Sequence, residues 1–263
     1  DAIDLITKLK AEDRYATAAE QEVLAKYVGW GASDIAPFLE SYPRQSWSKN
    51  ERAIWERIRA LSEAERAAMG KSRLNAHFTF DLYRPIWEAL VRAGFNGGRV
   101  LEPAVGTGHA FGLMPPDVRV ASTLSASELE PLTAAIAGYL YPSATVQAVG
   151  YEKAMIARGT QDLVISNVPF GDYGVDDALL PKEVTSRIHN YFFAKALEHV
   201  RPGGLVVFVT SRYTMDNVKF AGARSYLMDR ADFVGAVRLP NTAFDKTAKT
   251  EVVTDLIVLR RRE

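Results

Sequence analysis

The stretch Leu101-Glu102-Pro103-Ala104-Val105-Gly106-Thr107-Gly108 constrains the fold of this 263-residue chain more than any other. It grows out of a short β-prone run, Arg99 to Glu102, and its two glycines permit a tight turn with close backbone approach to a ligand. A strand that ends in such a turn and passes into a helix opens many nucleotide-binding α/β sheets, whose ligands sit at the carboxyl edge of the strands. The same turn also suits a purely structural strand-to-helix junction or a nucleotide site of another kind. Its Gly-Thr-Gly spacing falls short of the dinucleotide fingerprint, and no lysine follows as in a phosphate-binding P-loop; both facts disfavour NAD and ATP.

The residues around this turn divide the chain in two. Residues 1–70 read as a helical region, with helices over Ala16 to Tyr27 and Ser48 to Met69, the second restarting at Ser62 with Glu65 three residues on. Gly29-Trp30-Gly31 interrupts the pattern between them. From 71 to 263 strands and helices alternate. Strands are expected over Arg99 to Glu102, Leu124 to Glu128, Thr145 to Ala148, Asp162 to Ser166, Leu205 to Thr210, Phe233 to Leu239 and Thr254 to Arg260. Helices are expected over Pro85 to Ala93, Pro131 to Tyr141, Ile188 to Val200 and Asn217 to Arg230. This alternation predicts a doubly wound, mostly parallel α/β sheet, with the last two strands paired as an antiparallel hairpin.

Composition removes whole classes of chemistry. Cysteine is absent, which excludes disulfides, cysteine nucleophiles and three- or four-cysteine zinc sites, and no metal site is expected. No apolar run reaches membrane-spanning length and no signal peptide is evident, so a cytoplasmic protein without a membrane partner is expected. Basic and acidic residues balance at 32 each. Phosphate contacts supply much of the affinity of a nucleic-acid binder, so neutrality argues against tight, autonomous DNA binding and leaves room for a local basic face.

Four further segments carry candidate chemistry. Glu128 ends the second strand about twenty residues after the glycine turn, where an acid accepts hydrogen bonds from ribose hydroxyls; Glu130 reads as the solvated member of the pair. Glu152, after the third strand, is a candidate for the exocyclic amine of an adenine ring with Tyr151 packed on the ring, or is an exposed glutamate. Asn167-Val168-Pro169-Phe170 ends the fourth strand. The Asn167 side-chain oxygen and the Val168 carbonyl can accept both protons of an exocyclic amine while Phe170 stacks on its ring; a plain strand-to-loop turn uses the same residue types. Phe244, in Leu239-Pro240-Asn241-Thr242-Ala243-Phe244, offers a second wall to a base pocket, or is core. Arg212, Lys219, Arg224 and Arg260-Arg261-Arg262 are candidates for phosphates, or a solvated face.

Taken in order, His77-Phe78-Thr79, the glycine turn, the acid, Asn167-Val168-Pro169-Phe170 and Leu239 to Phe244 resemble the gamma arrangement of N6-adenine DNA methyltransferases. The longer phrases Asn167 to Tyr173, Tyr191-Phe192-Phe193-Ala194-Lys195, Arg201-Pro202-Gly203-Gly204, Arg238 to Phe244 and Tyr27-Val28-Gly29-Trp30-Gly31 look like the methyltransferase part of bacterial, plasmid and phage helicase–methyltransferase proteins. The resemblance implies a Rossmann-like class I methyltransferase domain over 71–263, S-adenosyl-L-methionine as cofactor, adenine N6 as target, base flipping and direct transfer. It implies cofactor contacts from His77, Phe78, Thr79, Glu102, Pro103, Gly106, Gly108, Glu128 and Glu152, catalytic roles for Asn167, Val168, Pro169 and Phe170, and base stacking by Phe170 and Phe244. Restriction-modification or a mobile element is the setting it suggests.

Val168 stands where many relatives of that type carry proline, and its carbonyl survives. No target-recognition region follows Arg260, so the chain is expected either to be a fragment or to read DNA with its N-terminal helices and loop 172–190, including Asp172, Tyr173, Lys182 and Arg187. A helicase or a target-recognition region, in the same or another chain, is the expected partner. Methylation of a protein glutamine amide or an RNA base amine, and a non-catalytic cofactor-binding module, are the competing readings.

Overall fold

The computed structural model describes residues 2–27, 36–63, 66–67, 69, 80–240 and 253–263. Three helices lead the chain: α1 (Ala2–Glu12), α2 (Ala18–Ala25) and α3 (Lys49–Arg59). The last two begin with reciprocal caps. Thr17 and Ser48 accept from the backbone of Glu20 and Glu51, whose carboxylates accept from the backbone N–H of Thr17 and Ser48. Ile6, Leu9, Leu24 and Ile58 from these helices cluster with Leu132 and Ile136 of α7 (Pro131–Leu140), so the helical region shares a core with the sheet-bearing part. The expected restart at Ser62 reaches Glu65, which lies outside the described residues.

Seven strands form one sheet: β1 (Gly98–Glu102), β2 (Ser122–Ser127), β3 (Thr145–Gln147), β4 (Gln161–Asn167), β5 (Val200–Ser211), β6 (Ala231–Arg238) and β7 (Thr254–Arg261). Their order is β3-β2-β1-β4-β5-β7-β6. The first five are parallel, and β7 runs antiparallel between β5 and β6. Consecutive strand residues serve opposite faces: Leu163 and Ile165 join Trp87, Leu90 and Phe111, while Val164 joins Tyr191, Phe193 and Leu227. Both faces are therefore covered, as a doubly wound sheet requires. One is covered by α4 (Phe80–Arg92) with the short α5 (His109–Gly112) and α6 (Pro116–Val120). The other is covered by α8 (Lys182–Thr185), α9 (Ile188–His199) and α11 (Ala221–Met228), with α10 (Tyr213–Asp216) beyond the end of β5. Among the described residues no helix is long and apolar enough to cross a membrane.

Several boundaries differ from expectation, three of them by more than a residue or two at an end. Helix α4 starts at Phe80 and carries Pro85 in its interior. A proline there forfeits one hydrogen bond of the helix, and burial of Tyr83, Ile86, Trp87 and Leu90 along one face outweighs that loss. Strand β5 begins at Val200, ahead of the expected start at Leu205. Val200 pairs with Gln161, the register shifts, and Leu205 resumes opposite Leu163, with Gly203 in the left-handed region at φ 75°. Over 217–230 the expected single helix is a 3₁₀ turn, Val218–Phe220, followed by α11.

Glu130, expected to be solvated, is fully buried as the N-cap of α7. Its carboxylate accepts from the backbone N–H of Leu132 at 3.0 Å, from that of Thr133 at 2.7 Å, and from the Thr133 hydroxyl at 2.6 Å. Removing a helix cap of this kind costs about 1–2 kcal/mol. Glu130→Ala should therefore lower the urea-unfolding free energy by about that amount, and an unchanged midpoint would contradict the capping role.

Candidate functional site at the carboxyl edge of the sheet

The glycine turn leaves β1 and crosses toward the end of β2. Gly106 and Gly108 hold φ values of 53° and 78°, the left-handed region that favours glycine. A Cβ on Gly108 would lie 2.2 Å from the Tyr141 ring, so the position also lacks room for a side chain. The turn is tied to β2 from both sides. The Val105 N–H donates to the Ser127 carbonyl at 3.1 Å, and the Ser127 hydroxyl donates to the Pro103 carbonyl at 2.9 Å.

Glu128 completes this brace. One carboxylate oxygen accepts from the Gly106 N–H and the other from the Glu130 N–H, each at 3.0 Å. Burial pushes the Glu128 carboxyl up, and the backbone N–H groups of Glu130, Gly106 and Leu129 oppose the shift. Each carboxylate oxygen keeps further lone-pair capacity, so the brace and a ligand hydroxyl are compatible partners.

Glu102, the last residue of β1, is also buried. Oε1 accepts from the Tyr83 hydroxyl at 3.3 Å, and the buried Oε2 has no hydrogen-bond partner among the described residues. Burial pushes this carboxyl well above the usual carboxylate range; the Tyr83 hydroxyl opposes that shift and Glu128 adds to it. Tyr83 itself is buried, and desolvation followed by the charge of Glu102 keeps its phenol protonated.

The same Tyr83 oxygen accepts from the backbone N–H of Asn167 at 2.9 Å. Asn167 closes β4, and its side-chain Oδ1 is buried without a partner among the described residues. Val168 is buried with its N–H on the Val209 carbonyl at 3.0 Å, which anchors the segment to β5. Pro169 and Phe170 are half-buried beyond it. The structure thus brings Glu102, Glu128, the glycine turn and Asn167 to the carboxyl ends of three adjacent strands, β2, β1 and β4.

Tyr83 was not among the residues singled out by sequence, because the helix was expected to start after it. The signal that could have found it is the buried stripe Tyr83, Ile86, Trp87, Leu90, in which a tyrosine on a core face needs a partner for its hydroxyl.

The loop that follows Phe170 is braced. Asp172 pairs with Arg187 at 2.5 Å, and the Ile188 N–H donates to the Tyr173 carbonyl at 2.8 Å. Asp177 accepts from Lys195 at 2.8 Å and from the Tyr191 hydroxyl at 3.0 Å, pinning the loop to α9. Lys182 is exposed.

Tyr151 departs from its expected role. Its ring is buried against Tyr191 and Phe192, and its hydroxyl meets His199 Nδ1 at 2.8 Å, so it is core and not the face of a ligand pocket. Glu152 is half-exposed on the 3₁₀ turn Tyr151–Lys153, with its carboxylate folded over Gly150. Several candidate phosphate-binding arginines are turned onto the protein. Arg260 and Arg262 both bridge to Asp232, Arg261 donates to the Val200 carbonyl, and Arg224 donates to the carbonyls of Thr214 and Asn217. Arg212 and Lys219 remain exposed. His77, Phe78, Thr79 and Phe244 lie outside the described residues, as does the Val28 to Gly31 phrase.

No protein-family model matches this chain. Over 181 residues it is 29% identical to the defense against restriction protein B of Escherichia phage P1, an alignment covering 67% of this chain and 8% of that protein. The chain therefore spans a small fraction of the length of that curated relative. Among solved structures, a Listeria monocytogenes protein described as a class I S-adenosylmethionine-dependent methyltransferase superposes with a TM-score of 0.58 at 16% identity, covering 100% of this chain and 87% of the other. A protein of Vibrio vulnificus described as the modification subunit of a type I restriction enzyme superposes with a TM-score of 0.55 at 17% identity, covering 80% and 53%. With its strand order β3-β2-β1-β4-β5-β7-β6 and these superpositions, the chain has the Rossmann-like fold of the class I methyltransferases.

Proposed function

We propose that this chain transfers a methyl group from S-adenosyl-L-methionine to N6 of adenine in DNA, on a base turned out of the helix. The observation that carries the reading is the Asn167 amide: its oxygen is buried, lacks a partner among the described residues, and ends the strand next to the glycine turn. A buried acceptor without a donor is costly, and a ligand amine that meets it removes the cost. The restriction-linked descriptions of the phage relative and of the Vibrio protein favour DNA as the substrate.

The residues present fit the cofactor. Gly106 and Gly108 form a turn of left-handed glycines, Glu128 has spare acceptor capacity for ribose hydroxyls, and Glu102 Oε2 is an orphaned buried acceptor suited to a cationic amine. Pro103, Glu152 and the His77-Phe78-Thr79 segment would complete the cofactor site. When bound, S-adenosyl-L-methionine supplies an electrophilic methyl group on a sulfonium. The chain's own part is to aim the nucleophile. Asn167 Oδ1 and the Val168 carbonyl would accept the two N6 protons and free the nitrogen lone pair for attack. No general base with a matched pKa is needed first, since the N–C bond forms as the methyl–sulfur bond breaks to leave a neutral thioether, and the methylated amine then loses its proton to solvent. Phe170, with Phe244 opposite, would stack on the base and offset the cost of unstacking it, a contact worth about 1–3 kcal/mol per base.

DNA binding by this chain alone is weak in this reading. Charge is balanced and several arginines are engaged by Asp232 or by backbone carbonyls. Sequence choice then comes from a helicase-linked or target-recognition region in the same or another chain, and tight, sequence-selective binding by this chain at physiological salt would contradict that assignment.

Two substitutions separate cofactor from target. Glu128→Ala should weaken S-adenosylmethionine binding in calorimetry by roughly 1–3 kcal/mol, the scale for truncating one side of a charge-assisted hydrogen bond. Equal affinity in the two proteins removes Glu128 from the site. Asn167→Ala should lower kcat by about a hundredfold or more while leaving cofactor affinity unchanged, because the amide meets the target and not the cofactor. Full transfer by Asn167→Ala would refute the assignment.

A further inference from the structure

Among the described residues, the Tyr83 hydroxyl is the atom that touches both halves of the site. It donates to Glu102 on the cofactor side and accepts from the Asn167 N–H on the target side. The two remaining oxygens of those partners, Glu102 Oε2 and Asn167 Oδ1, are both buried and both unpartnered among the described residues. Tyr83 is held rigidly. Its ring is in the core, and the next turn of α4 is fixed by Trp87, whose indole N–H donates to the Ala110 carbonyl at 2.8 Å, just past the glycine turn.

We propose that Tyr83 is a positioning residue that couples the charge state of Glu102 to the seating of Asn167, so that a cationic cofactor group arriving at Glu102 tightens the target-amine site. This rests on the methyltransferase reading above.

The physical basis is the two-way hydrogen bond. A hydroxyl that donates to a carboxylate gains electron density on its oxygen and becomes a better acceptor, and chains of such bonds reinforce one another in a low-dielectric interior. Burial disfavours the ionised form of Glu102, and a cation at Oε2 favours it. Full ionisation then strengthens the Tyr83 donation and, through the same oxygen, the hold on the Asn167 N–H. That N–H belongs to the residue whose side chain meets the target, so a change there is felt at Oδ1. The Tyr83 hydroxyl proton needs a buried acceptor in any case, and here that acceptor is an ionisable group.

The test uses the 263-residue chain with 15N-labelled asparagine, as wild type, Tyr83→Phe and Glu102→Gln. In the wild type, saturating S-adenosylmethionine should shift the Asn167 backbone amide resonance. In Tyr83→Phe that shift should vanish, with cofactor affinity within about threefold of wild type, kcat for methyl transfer down about tenfold or more, and KM for DNA little changed. Should Tyr83→Phe lose its fold in thermal unfolding, Glu102→Gln carries the same test. It keeps the tyrosine and the shape of the side chain but cannot ionise; at a cofactor concentration that calorimetry shows to saturate this variant, the shift at Asn167 should again be lost, and its retention there overturns the coupling.

Retention of the shift and of wild-type kcat in folded Tyr83→Phe overturns the role of Tyr83 alone. A wild-type chain that fails to bind the cofactor overturns the reading of the site and this inference with it.

Discussion

Burying a carboxylate costs free energy unless donors meet it, and this chain buries two of them at the carboxyl ends of neighbouring strands. Glu128 is met by backbone N–H groups from the glycine turn and from the approach to α7. Glu102 is met on one oxygen by Tyr83, and its other oxygen has no partner among the described residues. Much else in the site follows from this compensation. The turn must present the Gly106 N–H inward, which demands a left-handed backbone and therefore glycine. Helix α4 must begin early enough to carry Tyr83, although that puts Pro85 inside the helix. Glu102 Oε2 is left as a buried acceptor without a partner among the described residues.

Asn167 sits at the end of the next strand, β4, beside β1. Val168 continues the pairing of β4 with β5 past the end of β4, and the Asn167 N–H is held by Tyr83, while Asn167 Oδ1 has no partner among the described residues. Beyond Phe170 the chain does not wander. The Asp177–Lys195–Tyr191 cluster and the Asp172–Arg187 pair hold the following loop against α9 and leave residues such as Lys182 at the surface. A braced loop beside the Asn167 amide is consistent with the proposed holding of a flat base in one orientation.

Much of this was legible in the sequence because it is written in local pattern. The turn between Glu102 and Gly108, the strand ending at Asn167 and the final pair of strands follow from glycine spacing and from apolar runs bounded by turn residues. What escaped was long-range. Glu130 looks like a surface charge until α7 needs a cap in a buried corner. Tyr151 looks available to a ligand until His199, 48 positions away, claims its hydroxyl. Tyr83 was hidden because Pro85 reads as a helix start, and only packing of the stripe from Tyr83 to Leu90 extends the helix past it. The arginines at 260 to 262 look like a basic tail until Asp232 and the Val200 carbonyl engage them.

The proposed reaction forms one bond, between a methyl carbon and the N6 nitrogen of adenine. Incubating the chain with methyl-tritiated S-adenosylmethionine and DNA, RNA and protein in parallel, then digesting each to nucleosides or amino acids, tests it most directly. Label is expected in DNA, recovered as N6-methyladenine, with faster labelling when the target base is mismatched or unpaired and so easier to turn out. Label confined to protein or RNA, or recovered on a base other than adenine, would contradict it.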